Sequence, residues 1–277
     1  MELSWLESLL YGFVSGLAEI LPISAHSHRL ILLKVFGTEK APALMLLLIH
    51  LGVLAALYHC CQPYIMKLLR AKKLASVPKK RRKRPLDMVS LMDLSLFKTM
   101  LIPVIIAFFF YRKTSLLENS PVCVGIFLLL NGIVLYIHQY LPGSNKDSRM
   151  LTRVHGLVMG LGGAAAVLPG VSCMGCTLSI GSVCGVEKHY ALNMALLLEM
   201  AVTVGLIVMD VVSITTDGLG MLSLGLVIGC LLAAAAAFFA TLLGVRIIRR
   251  MVPSGYTVFA FYCWGLALFA FILNLFV

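Results

Sequence analysis

Charge is scarce in this chain: only 13% of its residues are charged against 60% hydrophobic, and acids are rarest, 12 among 277. Soluble domains carry about 25% charged residues, so a soluble globular enzyme is excluded. Also missing is a basic leader ending in a small-residue cleavage site. The N-terminus reads MELSWLESLLYGF and is expected to be a mature helix rather than a removed signal. The eight cysteines fall mostly inside apolar runs, where a thiol behaves as a small hydrophobe, so no disulfide framework is implied.

What is present is apolar length, with a mean hydropathy of +0.98. A hydrocarbon core of about 30 Å needs about 20 apolar residues per helix. Runs at 43–61, 97–111, 121–141, 191–210, 221–245 and 256–277 read as full spans. The expectation is an all-α polytopic membrane protein, one membrane domain over 1–277.

The net charge of +11 invites a nucleic-acid reading until it is located. Ten of the 23 basic residues lie between Lys67 and Arg84, with no acid among them. Beside a span, such a cluster sets orientation and touches anionic lipid. The stretch 62–96 is therefore expected to be a basic cytoplasmic loop, and no nucleic-acid partner is expected.

Two further regions, about 12–36 and 156–185, are apolar but broken by Pro, Gly, Ser and titratable residues. Irregular backbone at membrane depth survives only where protein buries it or water reaches it, so such segments line cavities. GLAEILPISAHSHRLIL and GGAAAVLPGVSCMGCTLSI share one pattern: a small residue, an apolar run, Leu-Pro, a short polar stretch and a return to apolar residues. This predicts inverted-topology repeats, about 1–115 and 150–277, whose two re-entrant helical hairpins meet near mid-membrane. Charge placement agrees. Asp210 and Asp217 fall outside, Arg246, Arg249 and Arg250 inside, and the outer Arg112 and Lys113 are the exception.

The first broken segment carries Glu19, Ser24, His26, Ser27, His28 and Arg29. Ionisable groups inside a span are costly and therefore candidates for function. Pro22 suits a bend, and a helix starting near Ser24 would aim free N–H groups at one spot, an anion site. His26 and His28 face different ways on a helix, and His28 is the one expected at that spot. The second segment adds Gly170, suited to positive φ or close approach, and the hydroxyls of Ser172, Thr177 and Ser179. Two such helix starts facing each other would hold a phosphate or pyrophosphate head group, and the apolar flanks suit a lipid carrier. Cys173 and Cys176, opposite His26 and His28, offer a rival reading as a zinc, copper(I) or thiol-redox site, and a blander one as small filler in a tight hairpin.

At these residues the chain resembles the undecaprenyl-pyrophosphate phosphatases of the BacA type. GLAEILPISAHSHRLIL resembles that family's G-L-T-E-F-L-P-[IV]-S-S-[ST]-G-H-L motif. LPGVSCMGCTLSIGSVCGVEKHYALNMALLL resembles its segment P-G-x-S-R-S-G-A-T-I…G-x-S-R-x-A-A-x-F-S-F-L-L, and YTVFAFYCWGLALF its C-terminal helix. The resemblance spans nearly the whole chain. It implies removal of phosphate from a C55 lipid pyrophosphate at the bacterial cell membrane, in cell-wall carrier recycling, often with magnesium or calcium. It implies catalytic roles for Glu19, Ser24 and His28, with Glu19 also a cation ligand. Of the expected phosphate-binding set, the resemblance implies Ser24, Ser172, Gly175 and Thr177, and the polar run of the first segment itself adds His26, Ser27 and Arg29.

The departures are specific. Ser15 stands at the family's first glutamate, Ala25 at its second motif serine, Cys173 at the phosphate-gripping arginine and Cys263 at the C-terminal arginine. A thiol cannot imitate a guanidinium fork. Arg29 is expected to restore one positive charge and His26 a donor, and Glu199 to compensate for Asn193 at the family's usual carboxylate. The same departures open the alternative of a catalytically impaired homologue that transports polyprenyl phosphate. A two-fold homodimer is the default assembly.

Overall fold

The computed structural model describes residues 3–276 apart from 39, 115–116, 118–119, 142–144 and 219–222. Part of the outer loop that follows Arg112 and Lys113, at 115–116 and 118–119, thus lies outside the described residues, as does the side chain of Asp217. Among the described residues the regular structure is helical: α1 (Trp5–Ile20), α2 (Ala25–Val35), α3 (Ala43–Ser76), α4 (Met88–Phe108), α5 (Tyr111–Thr114), α6 (Pro121–Ile137), α7 (Arg153–Ala164), α8 (Cys173–Val183), α9 (Lys188–Asp217), α10 (Leu224–Met251) and α11 (Val258–Phe276). Among the described residues five helices are long and apolar enough to cross a membrane: α3, α4, α6 with the turn after it, α9 and α10. The run expected at 256–277 is also a single helix, α11.

Helix starts reflect the local chemistry. Ser4 and Glu7 close a capping box at α1, with Ser4 N donating to Glu7 Oε2 at 2.7 Å and Glu7 N to Ser4 Oγ at 3.3 Å. Asp87 caps α4 by accepting from Ser90 N at 3.0 Å and Ser90 Oγ at 2.7 Å. Those two donors hold its carboxyl below the usual range.

The expected loop at 62–96 is corrected. Most of it is helix: α3 runs on to Ser76 and α4 begins at Met88, leaving 77–87 between them. KLLRAKKLAS is built of good helix formers, and it buries Leu68 and Ala71 against the bundle. With 34 residues α3 is about 50 Å long, so its basic end projects well beyond a core of about 30 Å.

Helix packing relies on small residues, because lipid offers no hydrophobic drive between apolar helices. α1 lies against α10, α3 against α10 and α9, α4 against α7 and α9, and α6 against α11. At the first contact Gly12 and Gly16 face Ala233 and Ala237 so closely that an added Cβ would run into their backbone. Thr241 Oγ1 then donates to Gly16 O at 3.0 Å. Gly16→Leu is expected to force α1 off α10 at a cost of about 3 kcal/mol, the upper end for overpacking. Thermal denaturation in detergent should show a midpoint clearly below that of Gly265→Ala, a site with open space around it.

Candidate functional site

The two broken segments are where the chain leaves regular helix. Pro22 has no N–H to continue α1, which stops at Ile20, and α2 starts only at Ala25. Ser24 between them has φ 64° and ψ 107°, the one non-glycine residue with positive φ among those described. Such a conformation costs about 1–3 kcal/mol and is held by its surroundings. His28 Nδ1 donates to Ser24 O at 2.8 Å, and Ser27 Oγ donates to Ser24 Oγ at 3.2 Å. In the second segment Gly170 takes φ 104°, as its place after Leu-Pro suggests. A Cβ there would meet Phe127 and the carbonyl of Val124 at 2.7 Å, so only glycine fits.

One side chain locks the two breaks together. Asn131, buried on α6, donates through Nδ2 to Pro22 O at 3.1 Å and accepts through Oδ1 from Ser172 N at 3.0 Å. Ser172 Oγ reaches Leu21 O at 3.4 Å and accepts from Gly175 N at 3.2 Å, capping α8. Nδ2 of Asn131 also points at Cys263 Sγ, 3.3 Å away. Four backbone groups freed by the bends are thereby satisfied inside the protein.

Between the breaks lies a small cavity of about 20 Å³ whose polar lining is Glu19, Ser24, His26, Ser172, Cys173 and Glu199. That is room for a water molecule and not for a phosphate, so a head group must displace side chains to occupy it. Ala25 and His26 are the first residues of α2, which has no side-chain cap, and Cys173 is the first residue of α8. Both helix N-termini therefore face one cavity, and the positive ends of their dipoles favour an anion there.

The structure sorts the sequence candidates. Glu19, Ser24, His26, Ser172 and Cys173 line the cavity. The preference for His28 over His26 as the histidine facing it is corrected. Both ring nitrogens of His28 are engaged elsewhere, Nδ1 on Ser24 O and Nε2 at 2.7 Å from Tyr262 Oη. A carbonyl only accepts, so Nδ1 carries the proton and Nε2 accepts from the tyrosine. The two rings stack with planes 1° apart. Ser27, Gly175, Thr177 and Cys176 are buried behind the lining.

Arg29 also stands behind the cavity, at the centre of a buried chain. Its Nη1 is 3.5 Å from Glu19 Oε2 and 3.2 Å from His50 Nε2, while His50 Nδ1 is 2.6 Å from Asp210 Oδ2. Arginine only donates, so Nε2 of His50 accepts and Nδ1–H donates to Asp210. The chain Asp210, His50, Arg29, Glu19 thus joins the far half of α9 to the cavity wall.

Donor chemistry decides which metals suit this site. Among the described residues no three of His, Cys, Asp and Glu converge as a metal-holding group, so the four-ligand soft-metal arrangement of His26, His28, Cys173 and Cys176 is not formed. Hard oxygen donors are present instead. Glu19 Oε2 and Glu199 Oε2 are buried without a hydrogen-bond partner, and such oxygens fit a hard divalent cation.

Several residues carrying this geometry are not singled out by the sequence patterns. His50 and Asp210 are visible as ionisable groups within apolar runs, and Asn131 as the one amide in the apolar stretch 121–137. Glu199 is legible in the sequence only as a substitute for Asn193, yet Asn193 is exposed while Glu199 faces the cavity. Tyr262 is legible only as the neighbour of Cys263 in the C-terminal stretch YTVFAFYCWGLALF, and nothing in the sequence ties it to His28.

The sequence has counterparts among known proteins. The profile of the family described as Bacitracin resistance protein BacA matches residues 8–269. A protein of Methanobrevibacter smithii named undecaprenyl-diphosphatase is 26% identical over 280 residues, covering 96% of each chain. Proteins of the same name from Carboxydothermus hydrogenoformans and Halothermothrix orenii are each 26% identical, over 261 and 254 residues. They cover 93% and 91% of this chain, and 93% and 92% of their own lengths.

Proposed function

The chain belongs to the BacA family, and from that premise we propose that it is a multi-pass membrane enzyme that hydrolyses undecaprenyl pyrophosphate to the monophosphate. The observation that carries this reading is the cavity between two broken helices, where the N-termini of α2 and α8 converge beside Glu19, Ser24 and His26. Hydrolysis breaks the anhydride P–O bond, adds the oxygen of water to the terminal phosphorus and leaves the lipid monophosphate. In this reading the helix N-termini and Ser172 hold the terminal phosphate. Either a water attacks its phosphorus directly, or Ser24 Oγ attacks first, displaces the lipid monophosphate and leaves a phosphoserine that water then hydrolyses. Glu19 and His26 handle the attacking group's proton. His28, tied to Tyr262, positions Ser24 by holding its strained carbonyl. A divalent cation of the magnesium or calcium class, held at Glu19, would supply charge neutralisation for the phosphate oxygens.

The finer architecture belongs to the same proposal. Exchanging α1, α2, α3 and α4 for α7, α8, α9 and α10 maps the packing of α1 on α10 onto that of α7 on α4. It also maps α3 on α10 onto α9 on α4, and α1 on α2 onto α7 on α8. This exchange supports inverted repeats, with α1–α2 and α7–α8 as the re-entrant hairpins. The cell membrane is the location this reading requires.

Orthophosphate release from C15 pyrophosphate by the purified protein in detergent, with magnesium or calcium, tests the activity. Release well above boiled protein is expected, and none would overturn the reading. The buried chain behind Glu19 makes a second prediction. His50→Leu removes both of its links and should lower kcat by about 10- to 100-fold, the usual effect of losing an outer positioning partner. Glutamine can accept from Arg29 and donate to Asp210, so His50→Gln should restore most of the rate with KM little changed. Equal losses in both variants would contradict a positioning role.

A further inference from the structure

Glu199 is the least explained group in the protein. It sits in the middle of the apolar run ALLLEMAV on α9, is 2% exposed, and leaves Oε2 without a hydrogen-bond partner. A buried carboxylate with an unused oxygen is costly and is retained where something pairs with it. The thiol of Cys173 beside it cannot neutralise charge.

The charge around the cavity sharpens the point. Glu19 has Arg29 at 3.5 Å. Glu199 adds a second carboxylate to the lining, which holds neither Lys nor Arg. At Cys173, where the resembled family has arginine, the wall supplies no cation. A pyrophosphate entering this cavity would meet Glu19, which Arg29 offsets from behind the wall, and Glu199, which no Lys or Arg of the lining offsets, and like charges in a desolvated site repel strongly.

We propose that Glu199 and Glu19 together form the binding site for a hard divalent cation of the magnesium class, which in this chain takes over the charge role of the arginine replaced by Cys173. Magnesium is held by one or two carboxylates and completes its octahedron with water and phosphate oxygens rather than with an all-protein cage. A two-carboxylate site therefore suits it, and the hydroxyls of Ser24 and Ser172 on the same wall are further oxygen donors. Glu199 reaches the cavity from α9, so it replaces from another helix the carboxylate missing at Ser15. The lipid's part in completing the site rests on the diphosphatase reading; the carboxylate pair does not.

The test is manganese binding by electron paramagnetic resonance, on the full-length protein in detergent without any lipid pyrophosphate. One Mn²⁺ per chain, displaced by magnesium, is expected. Outer-sphere partners already change metal affinity by about 10- to 100-fold, so losing the carboxylate itself in Glu199→Gln should weaken binding by at least about 100-fold. Glu199→Asp keeps the charge and should bind measurably, which separates ligand loss from misfolding. Wild-type protein that binds no Mn²⁺, or a monodisperse Glu199→Gln that binds as tightly, overturns the site. Binding through Glu199 without phosphate release would remove the diphosphatase reading and leave the site standing. Phosphate release with binding indifferent to Glu199→Gln would do the reverse.

Discussion

Glu19→Gln should lower phosphate release by about a thousandfold, within the range of roughly 10²–10⁴ that a positioned acid or base contributes. The substitution is nearly isosteric, so the fold should survive it. Three consequences meet at this residue: it lines the cavity, faces the guanidinium of Arg29 and keeps Oε2 free of hydrogen bonds. Glutamine keeps the shape but loses the charge, leaving Arg29 without its carboxylate and the attacking group without one of the two residues that handle its proton. Steady-state kinetics on the purified variant checks this, and a loss of tenfold or less would remove Glu19 from the chemistry.

Asn131→Leu should be the most damaging substitution outside the cavity. It removes the acceptor of Ser172 N–H and a donor to Pro22 O in one step, at the point where both breaks are tied. Each buried backbone group left unpaired costs about 1–3 kcal/mol. A loss of about 3 kcal/mol corresponds to a fall of roughly 6–12 °C in the thermal midpoint at about 2–4 °C per kcal/mol. Activity should fall with it, because the two helix N-termini lose their common anchor. Circular dichroism melting beside the phosphate assay would decide the matter. A variant that melts normally yet is inactive would mean that Asn131 acts on the substrate and not on the fold.

Much of the fold and site is legible in the sequence because membrane burial makes polarity conspicuous. Leu-Pro before small polar residues marks both breaks, and the structure ends α1 and starts α2 and α8 within a few residues of those positions. Gly170 is readable for the same reason, since the backbone after Leu-Pro has to turn. What stays hidden depends on rotation about helix axes and on partners far along the chain. His26 and His28 differ only in which way they face, and that is fixed by Tyr262, 234 positions away. The basic stretch after residue 62 resembles a loop because its charge is more conspicuous than its helix propensity, whereas Leu68 and Ala71 pack it as helix. Glu199 is visible as an acid among leucines, but that it lines one cavity with Glu19 depends on how α1 and α9 sit in the bundle.

The substitutions at Ser15, Cys173 and Glu199 then read as one rearrangement of charge. Under the proposed cation site, Glu199 on α9 would stand in for the carboxylate absent at Ser15, and a bound divalent cation for the arginine absent at Cys173. The anion-binding helix starts are kept.

The most direct measurement is the fate of undecaprenyl pyrophosphate in liposomes containing the purified protein and magnesium, tracked by mass spectrometry of the extracted lipid. Undecaprenyl monophosphate and orthophosphate should appear in equal amounts, with product lost in Glu19→Gln. Recovery of the pyrophosphate intact, whether or not it has moved between leaflets, would contradict hydrolysis at this site.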